Sequence, residues 1–470
     1  MKIHTRIFNI EDQISFAKLS GDWNPIHLDE VCSRREITGG VTVHGIHLVL
    51  WALDCWLSNQ AKGILIEAVD IRFFKSVLLG QEISITIDKK KQSKTVLVLS
   101  VDEIAVCEIK FEHQINLENN FQKFLPVSKN NKPKNITEEK ILGCGGKFGL
   151  SLDIKILEIL FNNLVTHLSH TQISVFLAST KLVGMECPGH QSLFSELHLE
   201  QDNNSRKLDF SYNVKKYDPR FKLIEMGVLG PSIKGVVKAF IRPKPKIQPK
   251  SEKIKNLVES GRYSDQRALV IGGSRGIGEV ISRILGIGGA DVFLTYMNGE
   301  KDALIVTEDI NSNGGKASCL QLDVTKLNYE AIKSIKKWRP THIYYMATPF
   351  ISIGQAGKFR QKTFFNFCNY YVTGFLEAFF TFKNESLRAV FYPSSVYLEE
   401  QKGEMSEYIS AKYIGERTCL SLKKTHQSIE FFTPRLPKLT TDQTNSFMPF
   451  DEIEPLPVMI ETLEKCFPKN

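Results

Sequence analysis

No Cys-x-x-Cys pair occurs in the 470 residues, and the nine cysteines are scattered. That excludes a compact disulfide framework and a zinc site built on cysteine pairs, and leaves reduced thiols as the expectation. No uninterrupted apolar run reaches the ~20 residues that span a bilayer, so no membrane segment is expected. The opening residues, MKIHTRIFNIEDQ, lack the apolar h-region of a secretory signal, which points to a cytoplasmic protein. Charge of one sign is scarce too. Lys and Arg number 60 against 52 Asp and Glu, a net +8 spread along the chain. So mild an excess argues against nucleic acid as a partner and suits anionic small ligands such as phosphates.

What is present is ordinary globular composition, 42% hydrophobic and 24% charged, over a length that allows two or three domains. Two stretches read as linkers, Lys123 to Lys140 and Arg242 to Lys255. The second alternates Pro and Lys, which favours an extended, solvated chain. They divide the sequence into segments 1–120, 140–245 and 260–470. In the first, a helical stretch from Val43 to Leu57 precedes strand-like runs at Gly63–Phe74, Glu82–Asp88, Thr95–Val101 and Ile104–His113. The second repeats that order, a long apolar stretch from Ile154 to Leu182 before runs at Ser192–Glu200, Lys207–Lys215, Phe221–Leu229 and Ile233–Ile241. The spacing therefore predicts two copies of one α+β unit. The third segment alternates strand and helix patterns, as a parallel α/β sheet requires.

From about Gln266 the residues carry more specific chemistry. The apolar run Ala268–Ile271 enters Gly272-Gly273-Ser274-Arg275-Gly276-Ile277-Gly278 and then an amphipathic helix. Glycines at 272, 276 and 278 suit a tight turn, a close backbone approach to a pyrophosphate, and close helix–strand packing. Further strands are expected at Asp291–Tyr296, Leu320–Val324, His342–Ala347 and Arg388–Tyr392. Ser395 follows the last, and thirteen residues later come Tyr408 and Lys412, four apart on one helix face.

These motifs, in this order over about 200 residues, resemble the short-chain dehydrogenase/reductase family, with its Rossmann-type doubly wound sheet. The resemblance implies Tyr408 as general acid/base, Lys412 as its activator and ribose contact, and Ser395 as the group that orients the substrate oxygen. A lysine ammonium beside a phenol is expected to lower its pKa. For the cofactor it implies Gly272, Ser274, Arg275, Gly276, Ile277, Gly278, Asp323, Val324 and Ala347 together with Tyr408 and Lys412. The second strand ends Thr295-Tyr296-Met297, with no acid to accept from a ribose 2′-hydroxyl, and Arg275 sits in the loop where a 2′-phosphate would meet it. Both favour NADP(H) over NAD(H). The chain departs from the family pattern at Ile271, at Met346-Ala347-Thr348-Pro349, and at Tyr371, which takes the place of a helical Asn that relays protons.

Phe16 to Asp29 reads FAKLSGDWNPIHLD, and Val43-His44-Gly45 opens the apolar helix. This core resembles the MaoC-like (R)-specific enoyl-thioester hydratases of hot-dog fold. The resemblance implies that Asp22 and His27 act on one water and that the Gly45 amide stabilises the thioester enolate oxygen. His44 and His47 read as packing or hydrogen-bonding residues, and no metal site is expected. The middle segment lacks the motif. Its Met185-Glu186-Cys187-Pro188-Gly189-His190 reads as a helix end and turn, ahead of a Cys187–His190 nucleophile pair, and its role as completing a double hot-dog.

Together the resemblances imply a bifunctional enzyme on acyl-coenzyme A or acyl-carrier-protein thioesters, in fatty-acid or polyketide-type metabolism. It would interconvert 3-oxoacyl and (R)-3-hydroxyacyl groups, and (R)-3-hydroxyacyl and 2-enoyl groups. A homo-oligomer is expected from the dehydrogenase family's habit of pairing through its long helices. The alternatives are a single-activity reductase whose double hot-dog only grips the carrier, and a non-enzymatic acyl-binding scaffold.

Overall fold

The N-terminal strands are β1 (Lys2–Ile7), β2 (Ile64–Phe73), β3 (Glu82–Lys91), β4 (Lys94–Val101), β5 (Ile104–Ile115), β6 (Gly145–Gly149), β7 (Ser192–Gln201), β8 (Asp209–Asp218), β9 (Leu223–Gly230) and β10 (Ile233–Ile241). They form one sheet in the order β1-β3-β4-β5-β2-β7-β10-β9-β8-β6. Each half has the sequence first, third, fourth, fifth, second. The two second strands meet antiparallel in the middle, Ala68 opposite Glu200 and Arg72 opposite Glu196. Helix Gly45–Leu57 lies inside the first half and buries side chains on every face, from Ile46 to Trp56, as a core helix does.

The computed structural model describes residues 2–91, 93–115, 132–351, 358–400, 403–447 and 451–468. Two units result, Met1–Lys244 with Ser446–Pro449, and Pro245–Asn445 with Phe450–Asn470. Residues 123–131 of the first expected linker lie outside the described residues. Among those described, no helix is long and apolar enough to cross a membrane.

The second unit holds a parallel sheet of β11 (Arg267–Ile271), β12 (Asp291–Tyr296), β13 (Lys316–Gln321), β14 (His342–Tyr345), β15 (Ala389–Phe391) and β17 (Glu430–Phe432). The short pair β16 (Ser394–Ser395) and β18 (Arg435–Leu436) extends two of its strands. The order β13-β12-β11-β14-β15-β17 is that of the doubly wound dinucleotide-binding fold, reversing between β11 and β14. Alternate residues face opposite sides. Ala268, Val270, Val292, Leu294 and Tyr344 enter one core, and Leu269, Ile271, Ile343, Tyr345 and Val390 the other. The glycine loop, Met346–Pro349 and Ser394–Ser395 all follow carboxyl ends of these strands, where such folds hold ligands.

Several expectations are corrected. Ile154–Leu182 is not one helix but three, Ile154–Leu160, Asn162–His167 and His170–Lys181, running into a wide turn, Leu182–Glu186. Asp54 accepts from the Asn163 and Leu164 N–H groups, and Ser169 caps the last helix through Gln172 N–H, so each restart has its own acceptor. The Pro-Lys stretch from Arg242 is not extended throughout, since Ser251–Lys255 is a short helix, and it is not wholly solvated. Arg242 is 2% exposed and Ser251 fully buried, because each meets a carboxylate, Glu36 and Asp309 respectively. The third strand of the parallel sheet ends at Gln321, not Val324, so Asp323 stands in the turn beyond it.

Two candidate active sites

The first site begins at a helix end. Helix Ile10–Ser20 starts at Asn9 in a capping box with Asp12 and stops at Gly21, φ 75°, whose N–H reaches the Ala17 carbonyl at 2.8 Å. That left-handed residue turns Asp22 into the interior. Asn24 then caps the short turn Pro25–His27 by accepting from Ile26 N–H. One oxygen of Asp22 and one ring nitrogen each of His27 and His44 lie within 4.8 Å of one another.

Asp22 is 1% exposed. Its Oδ2 accepts from the Thr180 hydroxyl at 2.7 Å and its Oδ1 from the Asn24 N–H at 3.2 Å. Burial pushes its carboxyl up to about 6, and those two donors pull the other way. His27 is half-buried, with Nδ1 at 2.9 Å from the Thr42 carbonyl. Nδ1 is therefore the N–H and Nε2 carries the lone pair. Burial lowers this imidazole to about 4, opposed by the Thr42 carbonyl and helped by the Arg242 charge, so it is neutral near pH 7.

His44 stacks on His27 at 3.8 Å between ring centres. Its Nε2 faces the Asp22 carbonyl at 3.1 Å and its Nδ1 the Gln13 side-chain oxygen at 2.9 Å. Both ring nitrogens of His44 thus lie within hydrogen-bond distance of an oxygen, which fixes the ring against His27. Gly45 is the first residue of the helix His44 precedes, and no side chain caps that end. Its N–H is thus one of the unpaired donors at the positive pole of the helix. A Cβ there would meet the Phe73 ring at 2.9 Å, so only glycine leaves both in place.

The second half of the sheet supplies the wall. Asn24 Nδ2 donates to the carbonyls of Gly184 and Gly189, both at 3.0 Å, and Trp23 N–H points at Met185 Sδ. A Cβ on Gly184 would lie 2.1 Å from Asp22 Oδ1. Arg242 ties the same segment down, donating to Ser192 O at 2.7 Å and His190 O at 2.6 Å while paired with buried Glu36 at 2.6 Å. Cys187 forms no nucleophile pair with His190. It is buried against Cys144, and burial pushes its thiol up to about 12.

The second site follows β11. Gly272 has φ 84°, and a Cβ on it would meet Ala347 N at 2.9 Å. A Cβ on Gly278 would lie 2.1 Å from the Gly272 carbonyl. Thr295, at the end of β12, holds the loop by accepting from Gly273 N–H at 2.9 Å and, through its hydroxyl, from Gly272 N–H at 3.2 Å. Helix Gly276–Ile287 starts at Arg275 with no side-chain cap. A loop with no room for a Cβ at Gly272 and Gly278, leading into a helix end without a side-chain cap, fits a pyrophosphate. Ser274 and Val324 are buried, and Ile277 and Ala347 half-buried. Asp323 turns one oxygen back to Thr325 N–H at 2.8 Å and its hydroxyl at 2.7 Å. Gly278→Ala is expected to remove nucleotide binding measured by titration calorimetry, because the 2.1 Å overlap forces the loop open; unchanged affinity would show that the loop is not the binding element.

Tyr408 lies in the first turn of helix Ser406–Thr425, Lys412 one turn on, and Ser395 in β16. All three are buried. Burial pushes the Tyr408 phenol up to about 12 against a hydrogen bond with Ser395. Burial pulls Lys412 down to about 7. The expectation that Lys412 lowers the Tyr408 pKa is not met. The ammonium donates to the Pro393 carbonyl at 2.9 Å and lies 4.1 Å from the ring centre of Tyr371 and 4.9 Å from that of Tyr392. Its charge is spent on a carbonyl and two aromatic faces. Tyr371 is itself fixed. Its hydroxyl pairs with Thr348, and its carbonyl accepts from Tyr392 at 2.9 Å, an approach Gly415 permits, since a Cβ there would lie 2.0 Å from the Tyr392 oxygen.

Residues 3–104 match the family model described as MaoC like domain. Over 79 residues the chain is 33% identical to the mitochondrial 3-hydroxyacyl-[acyl-carrier-protein] dehydratase of Arabidopsis thaliana, covering 17% of this chain and 47% of that one. Over 106 residues it is 31% identical to a short-chain dehydrogenase/reductase of Pestalotiopsis microspora, covering 22% and 40%. The chain therefore carries a match to a MaoC-like domain at residues 3–104 and a separate similarity to short-chain dehydrogenase/reductases. It spans less than half the length of these curated relatives. A short-chain dehydrogenase of Burkholderia cenocepacia solved with NADP is similar at 20% identity and TM-score 0.38, over 44% of this chain and 92% of that one.

Thr180, Gly184 and Gln13 are the residues around Asp22 and His44 that sequence reasoning missed. The first two come from the half without the motif, 158 and 162 positions from Asp22 in the chain, and no local pattern marks them. Around Tyr371 and Lys412, Thr348, Tyr392 and Gly415 were missed. The sole available signal was Tyr371 itself, since a buried phenol in place of an amide needs a new partner.

Proposed function

We propose that this protein is a bifunctional acyl-thioester enzyme, an NADP(H)-dependent 3-oxoacyl/(R)-3-hydroxyacyl oxidoreductase joined to an (R)-3-hydroxyacyl/2-enoyl hydratase-dehydratase. The carrying observation is the Asp22–His27 pair, two proton acceptors side by side, one with its pKa near 6 and the other neutral. Such a pair takes both O–H groups of one water and aims its oxygen at C3 of a 2-enoyl thioester. As the O–C3 bond forms, Asp22 takes the proton. The C2=C3 electrons move into the thioester enolate, whose oxygen meets the Gly45 N–H. The proton then goes from Asp22 to C2. The repeated strand order supports a double hot-dog whose second half, without the motif, completes the site.

In the other unit, the loop from Gly272 to Gly278 would hold a nicotinamide dinucleotide, which would supply hydride chemistry at a C3 carbonyl. Tyr408, protonated near neutral pH, donates to the developing alkoxide, and Ser395 holds that oxygen. Arg275 and the absence of an acid at Thr295-Tyr296-Met297 support the 2′-phosphorylated cofactor. A net +8 charge supports an anionic carrier, coenzyme A or an acyl carrier protein. Phe380, Tyr413, Ile414 and Leu420 expose apolar surface on helices Phe375–Phe382 and Ser406–Thr425, which supports pairing of two copies there.

The test is hydration of crotonyl-coenzyme A without nucleotide, followed against pH. The ionised carboxylate is the active form, and its pKa is raised, so kcat/KM should be full above and fall as pH drops through about 6. An acid limb near the ordinary carboxylate value of ~4 would contradict Asp22 as the base.

A further inference from the structure

We infer that Thr180, from the half of the sheet that carries no catalytic motif, is the positioning residue of the Asp22 carboxylate. The inference rests on the hydratase reading of Asp22 and extends it to a residue outside the MaoC-like match. Thr180 lies at the end of helix His170–Lys181 and is 3% exposed. Its hydroxyl donates to Asp22 Oδ2 at 2.7 Å. The other oxygen has the longer 3.2 Å bond from Asn24 N–H and lies against Gly184. Thr180 thus fixes the carboxylate through Oδ2, and each oxygen keeps a further lone pair for water.

The titratable groups facing Asp22 are His27 and His44, and both imidazoles are neutral near pH 7. Arg242, paired with Glu36, acts on His27. From the second half, the groups that meet the carboxylate are the Thr180 hydroxyl and the Gly184 backbone, neither of which titrates. Thr180 is therefore the strongest single donor that favours the ionised form over burial, which favours the neutral acid.

The experiment compares the pH profile of crotonyl-coenzyme A hydration for the whole chain, Thr180→Val, Thr180→Ser and Asp22→Asn. Val keeps the shape of Thr without the hydroxyl, and Ser keeps the hydroxyl. The expected result is an acid limb moved up by about one pH unit in Thr180→Val, with activity regained at high pH and the wild-type profile restored in Thr180→Ser. A Thr180→Val profile that overlays wild type, or one scaled down equally at every pH and not rescued by Ser, overturns the positioning role. Wild-type hydration that survives Asp22→Asn, or no wild-type hydration of either the coenzyme A or the carrier-protein thioester, overturns the hydratase reading and the inference with it. Loss in Asp22→Asn beside an unmoved Thr180→Val limb overturns the inference alone.

Discussion

Gly184→Ala should abolish enoyl-thioester hydration as fully as Asp22→Ala does, although residue 184 contributes no reacting atom. The methyl would sit 2.1 Å from Asp22 Oδ1 and 2.5 Å from its Cγ, distances no pair of atoms sustains. The backbone cannot simply retreat, because the Gly184 carbonyl accepts from Asn24 Nδ2 at 3.0 Å and Trp23 is held on neighbouring Met185. The carboxylate must swing out of the pocket and away from Thr180. Loss of a positioned general base is worth on the order of 10²–10⁴-fold. Steady-state hydration kinetics reads this, with ketoreduction as the folding control, since its residues belong to the other unit. A Gly184→Ala protein that hydrates at the wild-type rate would mean that Asp22 is not the base where the structure puts it.

Tyr408→Phe should lower reduction of acetoacetyl-coenzyme A by at least about 10²-fold while leaving hydration untouched. The Tyr408 phenol shares a hydrogen bond with Ser395 that favours its ionised form, but burial outweighs it and keeps the phenol protonated near neutral pH. Lys412 is no substitute. Its ammonium is turned to the Pro393 carbonyl and to the faces of Tyr371 and Tyr392. Reduction at the wild-type rate by this variant would remove Tyr408 from the chemistry and favour a scaffold role for the domain.

The legible parts of this protein are those whose chemistry is local in sequence. Gly272 to Gly278, Tyr408 with Lys412, and Gly21 to His27 each place their groups through one turn or one helix, and the backbone conformations they need are written in the residues themselves. Strands β12 and β10 keep the bounds read from apolar runs because both faces, or one whole face, are buried. Strand β6 was missed because Gly-Gly-Lys-Phe-Gly has almost no side chain to bury and pairs through its backbone with β8. The break of Ile154–Leu182 was missed because Asp54, the acceptor that starts the second helix, lies over a hundred residues away. The same distance hid Thr180 and Gly184. The altered balance around Lys412 was missed for another reason. A Tyr-xxx-Lys spacing places the two on one helix face, but the partners that take the ammonium are Pro393, Tyr371 and Tyr392, brought in by the sheet and a wide helical turn.

The most direct measurement of the central claim is crotonyl-coenzyme A hydration by the purified full chain without nucleotide, beside Asp22→Ala and Tyr408→Phe. The account predicts hydration that disappears in Asp22→Ala and persists in Tyr408→Phe. Hydration equal in Asp22→Ala and wild type, or absent from wild type with both coenzyme A and carrier-protein thioesters, would contradict it.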